Sequence, residues 1–119
     1  MSIKKELQKL RAEKRKRLAE WSHSVRERDG WICAFCGQPN KRLNAHHLLS
    51  KELYPQFMFD PKIGISLCPF KCHRRKAHFD GVAFTIWLME HRPDQFKYIK
   101  KLLEEGNTSE NLQKEEGKT

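Results

Sequence analysis

A small α+β domain is the fold class this sequence predicts, and three observations predict it. Long segments with helical apolar spacing flank two short stretches, around residues 42–49 and 64–68, that suit strands. Four cysteines fall into two close pairs, Cys33-Ala-Phe-Cys36 and Cys68-Pro-Phe-Lys-Cys72, separated by 31 residues. The apolar residues make up only 38% of the 119-residue chain, low for a domain stabilised by core burial alone. Length allows one domain. Pairs of cysteines at this spacing suit a tetrahedral zinc site of two knuckles, and metal binding there would be folding free energy. Gly37, just after the first pair, gives the knuckle backbone the freedom to wrap the metal.

The elements follow in order. Ile3, Leu7 and Leu10, then Leu18, Trp21 and Val25, recur at three- and four-residue spacing, which predicts one helix over 4–27 ended by Asp29-Gly30. Its first half is too thinly apolar to pack, and its second half docks on the domain. The cluster Lys14, Arg15, Lys16 and Arg17 serves either as a set of phosphate contacts or as a solvated face paired with Glu13 and Glu20. Residues 50–63 form a loop whose aromatics, Tyr54, Phe57 and Phe59, are expected to cover the core rather than stack on bases. Pro69 to His78 reads as a helix with proline in its first turn. Beyond Asp80-Gly81, two apolar helices broken at Pro93 and ended by Gly106 are expected to cap the core. The expected division is a basic helix (1–28), a zinc core (29–81), a helical cap (82–105) and a disordered tail (106–119).

Charge narrows the partner. The formal net charge is +9, and it is uneven. Residues 1–30 carry ten basic and five acidic side chains, residues 31–83 eight and three, and residues 84–119 six and seven. A polyanion, nucleic acid first, is the expected partner of residues 1–83. No apolar run reaches the roughly 18 residues of a membrane span, and no apolar segment of the kind a secretory signal needs follows the basic start. A cytoplasmic protein is therefore expected, with reduced cysteines.

Zinc knuckles leave histidines over. His46 and His47 lie between the cysteine pairs, His73 follows the last cysteine, and His78 lies five residues later, with Arg74, Arg75 and Lys76 between as candidate phosphate contacts. Neighbours on a strand point to opposite sides, so His46 and His47 do not serve one metal together. One can bind a metal while the other faces substrate, a division of labour that suits phosphodiester hydrolysis. A divalent ion neutralises the phosphate, and a neutral imidazole with a pKa of about 6.5 takes a proton from water.

The series Cys-x2-Cys, Ala-His-His-Leu, Phe-Asp-Pro-Lys-Ile-Gly-Ile-Ser-Leu-Cys and Cys-His resembles the HNH endonucleases of the ββα-metal fold. The sub-type is the zinc-stabilised one frequent in bacteriophages and bacteria, and the resemblance covers about residues 31–80. It implies a metal-dependent DNA endonuclease in a bacterial cytoplasm, working beside other phage or bacterial DNA-processing proteins. It also implies a ββα-metal core, a structural zinc at Cys33, Cys36, Cys68 and Cys72, and a catalytic Mg2+, Mn2+, Ni2+ or Zn2+ ion. By the same resemblance His47 is the general base, while His46 and His73 are ligands of the catalytic ion. His78 is a third ligand or a phosphate contact, since five residues along an α-helix turn it away from His73. One departure stands out. The family's middle Asn, which pins the loop facing the base, is Ile63 here. Either another group such as Asn44 or a backbone amide holds that loop, or activity is weakened; with both His46 and His47 present, a working enzyme is expected. The alternative is a zinc-ribbon module that binds nucleic acid without catalysis.

Overall fold

The structure, a computed structural model, describes residues 2–40 and 42–106. The expected tail from residue 107 on lies outside the described residues. The chain divides into two units, one ending at Gly81 and the other starting at Val82. No helix among the described residues is long and apolar enough to cross a membrane.

The first unit opens with α1 (Ile3–Arg28), capped by the Ser2 hydroxyl, which accepts from the Lys5 N–H, and closed at Asp29. Its 26 residues span about 39 Å. As the spacing predicts, the first half stays exposed, whereas Trp21 and Val25 are buried. Two short strands then pair antiparallel: β1 (Asn44–His47) and β2 (Gly64–Leu67), in the register Asn44↔Leu67, Ala45↔Ser66, His46↔Ile65, His47↔Gly64. The first strand is shorter than the 42–49 stretch suggests. The loop joining the strands carries two 3-10 turns, Pro55–Phe57 and Pro61–Ile63. In it Leu49, Met58 and Ile63 are buried, while Tyr54, Phe57 and Phe59 are half-buried.

The two faces of this sheet meet different elements. Residues two apart on a strand share a face, so Ala45 and His47 lie with Ser66 and Gly64, and Asn44 and His46 lie with Leu67 and Ile65. The first face meets α1. A Cβ on Gly64 would stand 2.5 Å from Val25 Cγ2 and 2.6 Å from Trp21 Cζ2, so only glycine lets the helix come this close. Arg28 and Asp29 then clamp the end of α1 to β2. The Arg28 guanidinium donates to both Asp29 carboxylate oxygens and to the carbonyls of Pro61 and Gly64, and Asp29 accepts from the Ser66 N–H. On the other face, β1 meets the helix Pro69–His78.

That helix is wound as a π-helix rather than the α-helix its sequence suggests. The His73 N–H donates to the Cys68 carbonyl at 3.0 Å and the Phe79 N–H to the Arg74 carbonyl at 3.2 Å, each five residues back. Such windings are rare and are mostly single turns at functional sites.

The second unit contains α2 (Gly81–His91) from Val82 on and α3 (Pro93–Gly106), with the break at Pro93 where the sequence places it. Phe84, Leu88 and Ile99 are buried.

Candidate metal centre

Two clusters of metal-ligating side chains lie in the first unit, and both arise from local backbone shape. The first joins Cys33, Cys36, Cys68 and Cys72, whose sulfurs all lie within 4.8 Å of one another. The Gly37 N–H donates to the Cys33 carbonyl at 2.8 Å, and Gly37 takes φ +76°, a conformation that favours glycine. The Ala34 N–H donates to the Ser66 carbonyl, which ties the knuckle to β2. Cys68 sits at the N-cap of the π-helix and Cys72 one turn along it. All four thiols are free, and four sulfurs at 2.3 Å around a tetrahedral ion would stand about 3.8 Å apart, so this set can hold zinc. Burial pushes Cys33 upward, but N–H groups of Cys36, Cys68 and Phe35 and the Cys36 thiol outweigh it and bring its pKa down to about 7. Burial raises Cys36 and Cys72. One thiolate is thus favoured without metal.

The second cluster is His46, His73 and His78, whose ring nitrogens also lie within 4.8 Å of one another. The ring centroids are 5.0 Å apart for His46 and His73, 5.1 Å for His46 and His78, and 4.6 Å for His73 and His78. The expectation that His78 turns away from His73 assumed an α-helix and is corrected here. In a π-helix residues five apart lie one turn above each other, which brings the two Nε2 atoms to 3.0 Å. His46 reaches the pair because it projects from the face of β1 that meets the π-helix.

Asn44, two residues before His46 and on the same face, reaches His73 rather than the loop. Its amide Nδ2 and His73 Nδ1 are 3.0 Å apart. A half-turn of the amide exchanges Nδ2 for Oδ1, and in that orientation Asn44 would accept from Nδ1–H and leave Nε2 for a metal. Of the two groups expected to hold the loop, Asn44 does not, whereas a backbone amide does, the Leu48 N–H donating to the Ile63 carbonyl at 2.8 Å. α1 holds it too: Trp21 Nε1–H donates to the Asp60 carbonyl at 2.8 Å, and Arg28 donates to that of Pro61 at 2.7 Å. Within the loop the Asp60 carboxylate accepts from the Lys62 N–H. Ile63 itself is fully buried, so an apolar side chain is what this position accommodates.

His47 faces the opposite way, as strand alternation requires. Its ring stacks on Trp21 with centroids 3.8 Å apart and planes 10° from parallel. Its Nε2–H donates to the Met58 carbonyl at 2.9 Å, the tautomer that leaves the Nδ1 lone pair available. Both faces still reach one cleft of about 590 Å³, because it follows the strand and the turn after it: Ala45 to Leu48, Ser50, Lys51 and Glu52, with His73 and His78. Burial lowers the pKa values of His46, His47 and His73. His46 falls to about 3, through burial first and then the positive charges that His73, His78 and His47 would carry. His73 falls through burial and His78, and His47 through burial and Lys51, partly offset by the Met58 carbonyl and Glu52. Neutral imidazoles are the form that binds metal or accepts a proton.

The remaining candidates divide. Lys14, Arg15, Lys16 and Arg17 are exposed, and among the described residues no ion pair joins them to Glu13 or Glu20. Arg17 lies 3.8 Å over the Phe59 ring. Lys76 pairs with Asp80 at 4.0 Å, whereas Arg74 and Arg75 line an open hollow with Phe70 and Phe79. Sequence reasoning missed the Trp21 stack, the Met58 carbonyl, and Ser50, Lys51 and Glu52 on the cleft wall. Only the last three carried a signal, being next along the chain after His46 and His47.

Comparisons of the chain with protein-family models, with curated proteins and with solved structures return no match. The site therefore stands on its own geometry: a small α+β chain with one four-cysteine cluster and one three-histidine cluster, each compatible with metal binding.

Proposed function

We propose that this chain is a metal-dependent endonuclease of the HNH, ββα-metal kind that nicks or cleaves DNA by hydrolysing phosphodiester bonds. The observation that carries it is the shared cleft, where three converging imidazoles stand beside a fourth whose free nitrogen is set by a backbone hydrogen bond. His46, His73 and His78 would hold a divalent ion, which when bound neutralises the scissile phosphate and the leaving oxygen. Cys33, Cys36, Cys68 and Cys72 would hold zinc as a structural element. His47 Nδ1 takes a proton from water as the water oxygen bonds to phosphorus; the bond from phosphorus to the leaving ester oxygen breaks, and that oxygen takes its proton from solvent. Trp21 and the Met58 carbonyl keep the ring in place through the transfer. Lys51, at the cleft wall, offers a cation for a neighbouring phosphate. Two strands followed directly by a helix that presents His73, and the order His46-His47…His73, support the ββα-metal reading.

The test is nicking of supercoiled plasmid with Mg2+, Mn2+, Ni2+ and Zn2+ in turn. Wild type should nick with at least one ion, and His47→Ala should lose about 100-fold or more. No nicking with any ion, or equal nicking by His47→Ala, rejects the proposal.

A second reading is a zinc-ribbon module that binds nucleic acid without cutting it, favoured by Ile63 at the motif Asn position and by the exposed basic cluster on α1. One tightly held zinc per chain fits both readings. A second, weaker divalent site lost in His46→Ala supports only the enzyme.

A further inference from the structure

The π-winding that stacks His78 over His73 also orders a neighbouring face. Residues five apart align on such a helix, so Arg75 lies above Phe70 and Phe79 above Arg74. The Phe79 N–H to Arg74 carbonyl bond marks that second pair directly. These four side chains line an open hollow of about 510 Å³. Both rings are largely exposed, Phe70 at 70% and Phe79 at 75%. Two phenylalanines this bare are costly to leave in water, and ones set among cations have a restricted choice of partner. Neither guanidinium has an ion pair among the described residues, whereas the next cation along, Lys76, is already bridged to Asp80. The hollow and the cleft are lined from the same helical segment, Arg74 being next to His73 and Phe79 next to His78 in the chain.

Flat rings interleaved with unpaired guanidinium groups match one chemistry closely, that of nucleobases out of their stack, with a π-face for each ring and a phosphate for each cation. A fully paired duplex hides those faces. A protein surface complementary to the hollow would need carboxylates to meet Arg74 and Arg75, yet it would leave the rings without a flat partner. We propose that Phe70 and Phe79 stack on unpaired DNA bases while Arg74 and Arg75 hold the adjoining phosphates, so that the cleft acts preferentially beside gaps, bulges or single-stranded tails. This deepens the nuclease reading and rests on it for the cutting step, but the binding it describes needs no catalysis.

The experiment is fluorescence anisotropy with the full zinc-loaded chain, no other divalent ion added, and two labelled DNAs. One is a fully paired duplex, and the other is the same duplex with a five-nucleotide single-stranded gap. Wild type should bind the gapped DNA about tenfold tighter. Phe70→Leu and Phe79→Leu, which keep the apolar bulk but not the ring, should each weaken gapped binding about fivefold or more and leave the paired duplex within twofold. Arg74→Gln and Arg75→Gln should weaken both DNAs and each reduce the salt slope by about one. Zinc content and circular dichroism establish that each variant is folded. Equal binding of both DNAs by wild type, or equal losses on both DNAs in the leucine variants, overturns the proposal. So does a dimer in sedimentation that disappears in those variants. Plasmid nicking without any preference for the gapped DNA overturns this proposal alone, and gap-specific binding without nicking overturns only the nuclease reading.

Discussion

The cysteine and histidine clusters share one short helix, yet they are built for different ends. Cys33 and Cys72 are fully buried, and the knuckle that carries Cys33 and Cys36 is closed by its own backbone bonds and tied to β2 through Ala34 N–H and the Ser66 carbonyl. Four ligands close a tetrahedron and leave no position for anything else, the arrangement of a structural site. The histidines offer three nitrogens, His46 and His73 half-buried and His78 exposed, on the wall of an open cleft. Three ligands leave positions for water and substrate, the arrangement of a reactive site. Such a contrast teaches how a chain of this size divides its needs. With zinc bound, a closed cluster would supply stability that the thin apolar core does not, while the open one sits in partly solvated surroundings.

Removing the closed cluster is the harshest way to break that contrast. Chelation of zinc, or Cys72→Ser, should abolish cooperative unfolding of the first unit, since structural zinc in small domains contributes about 10–16 kcal/mol of apparent binding energy. Circular dichroism with thermal melting measures it. His78→Ala, on the open cluster, should leave that melt almost unchanged; a comparable collapse would erase the distinction drawn here.

Gly64→Ala tests the support between the clusters. The new methyl would overlap Val25 and Trp21, so a loss of about 1–3 kcal/mol is expected from overpacking. Because the Trp21 ring also underlies His47, nicking should fall further than the loss of folded protein explains. A melt together with a nicking rate normalised to folded protein separates the two effects.

Asn44→Ala sharpens the role of the open cluster. Losing the partner of His73 Nδ1 should weaken the second divalent ion about 10- to 100-fold and leave zinc content unchanged. Titration of the zinc-loaded protein with Mn2+ or Ni2+ by calorimetry reads this directly.

The smallest effect is on pH dependence. With its pKa lowered by burial, His47 stays neutral below pH 6.5, so nicking should change by less than about twofold between pH 7.5 and 6.5 and fall only at lower pH. Stability runs the same way. Folded-state values below the unfolded 6.5 for His46, His47 and His73 mean that the unfolded chain takes up protons first as pH drops. Stability is therefore complete above about pH 6.5 and is lost toward the folded values, His46 reaching about 3, at up to about 1.4 kcal/mol per pH unit for each group. A maximum in stability on the acid side would contradict the burial assigned to these rings.

Much of this was legible along the chain. Cysteine spacing marked the closed cluster, because paired ligands with only two or three residues between them must come from tight local turns. Strand alternation separated His46 from His47, and the apolar spacing of α1 distinguished its docking half from its bare half. The role of His78 stayed open for a physical reason: whether a helix closes its bonds four or five residues back is not written in the side-chain pattern of Pro69–His78. The holders of the loop were only partly legible: a backbone amide was expected and Leu48 supplies it, but Trp21 and Arg28 act through backbone carbonyls of Asp60 and Pro61, which any residue presents.

The sequence by itself determined the α+β class, both cysteine pairs that could hold a metal, the histidines available for a second site, and the basic character of residues 1–83. These follow from residue type and short-range spacing, which the chain carries wherever it folds. Only the tertiary structure decided that His78 joins His46 and His73, that Asn44 serves His73, and that Trp21 and Met58 hold His47. Each of those depends on how one helix winds or on which backbone group another element brings within 3 Å, and no local rule specifies either.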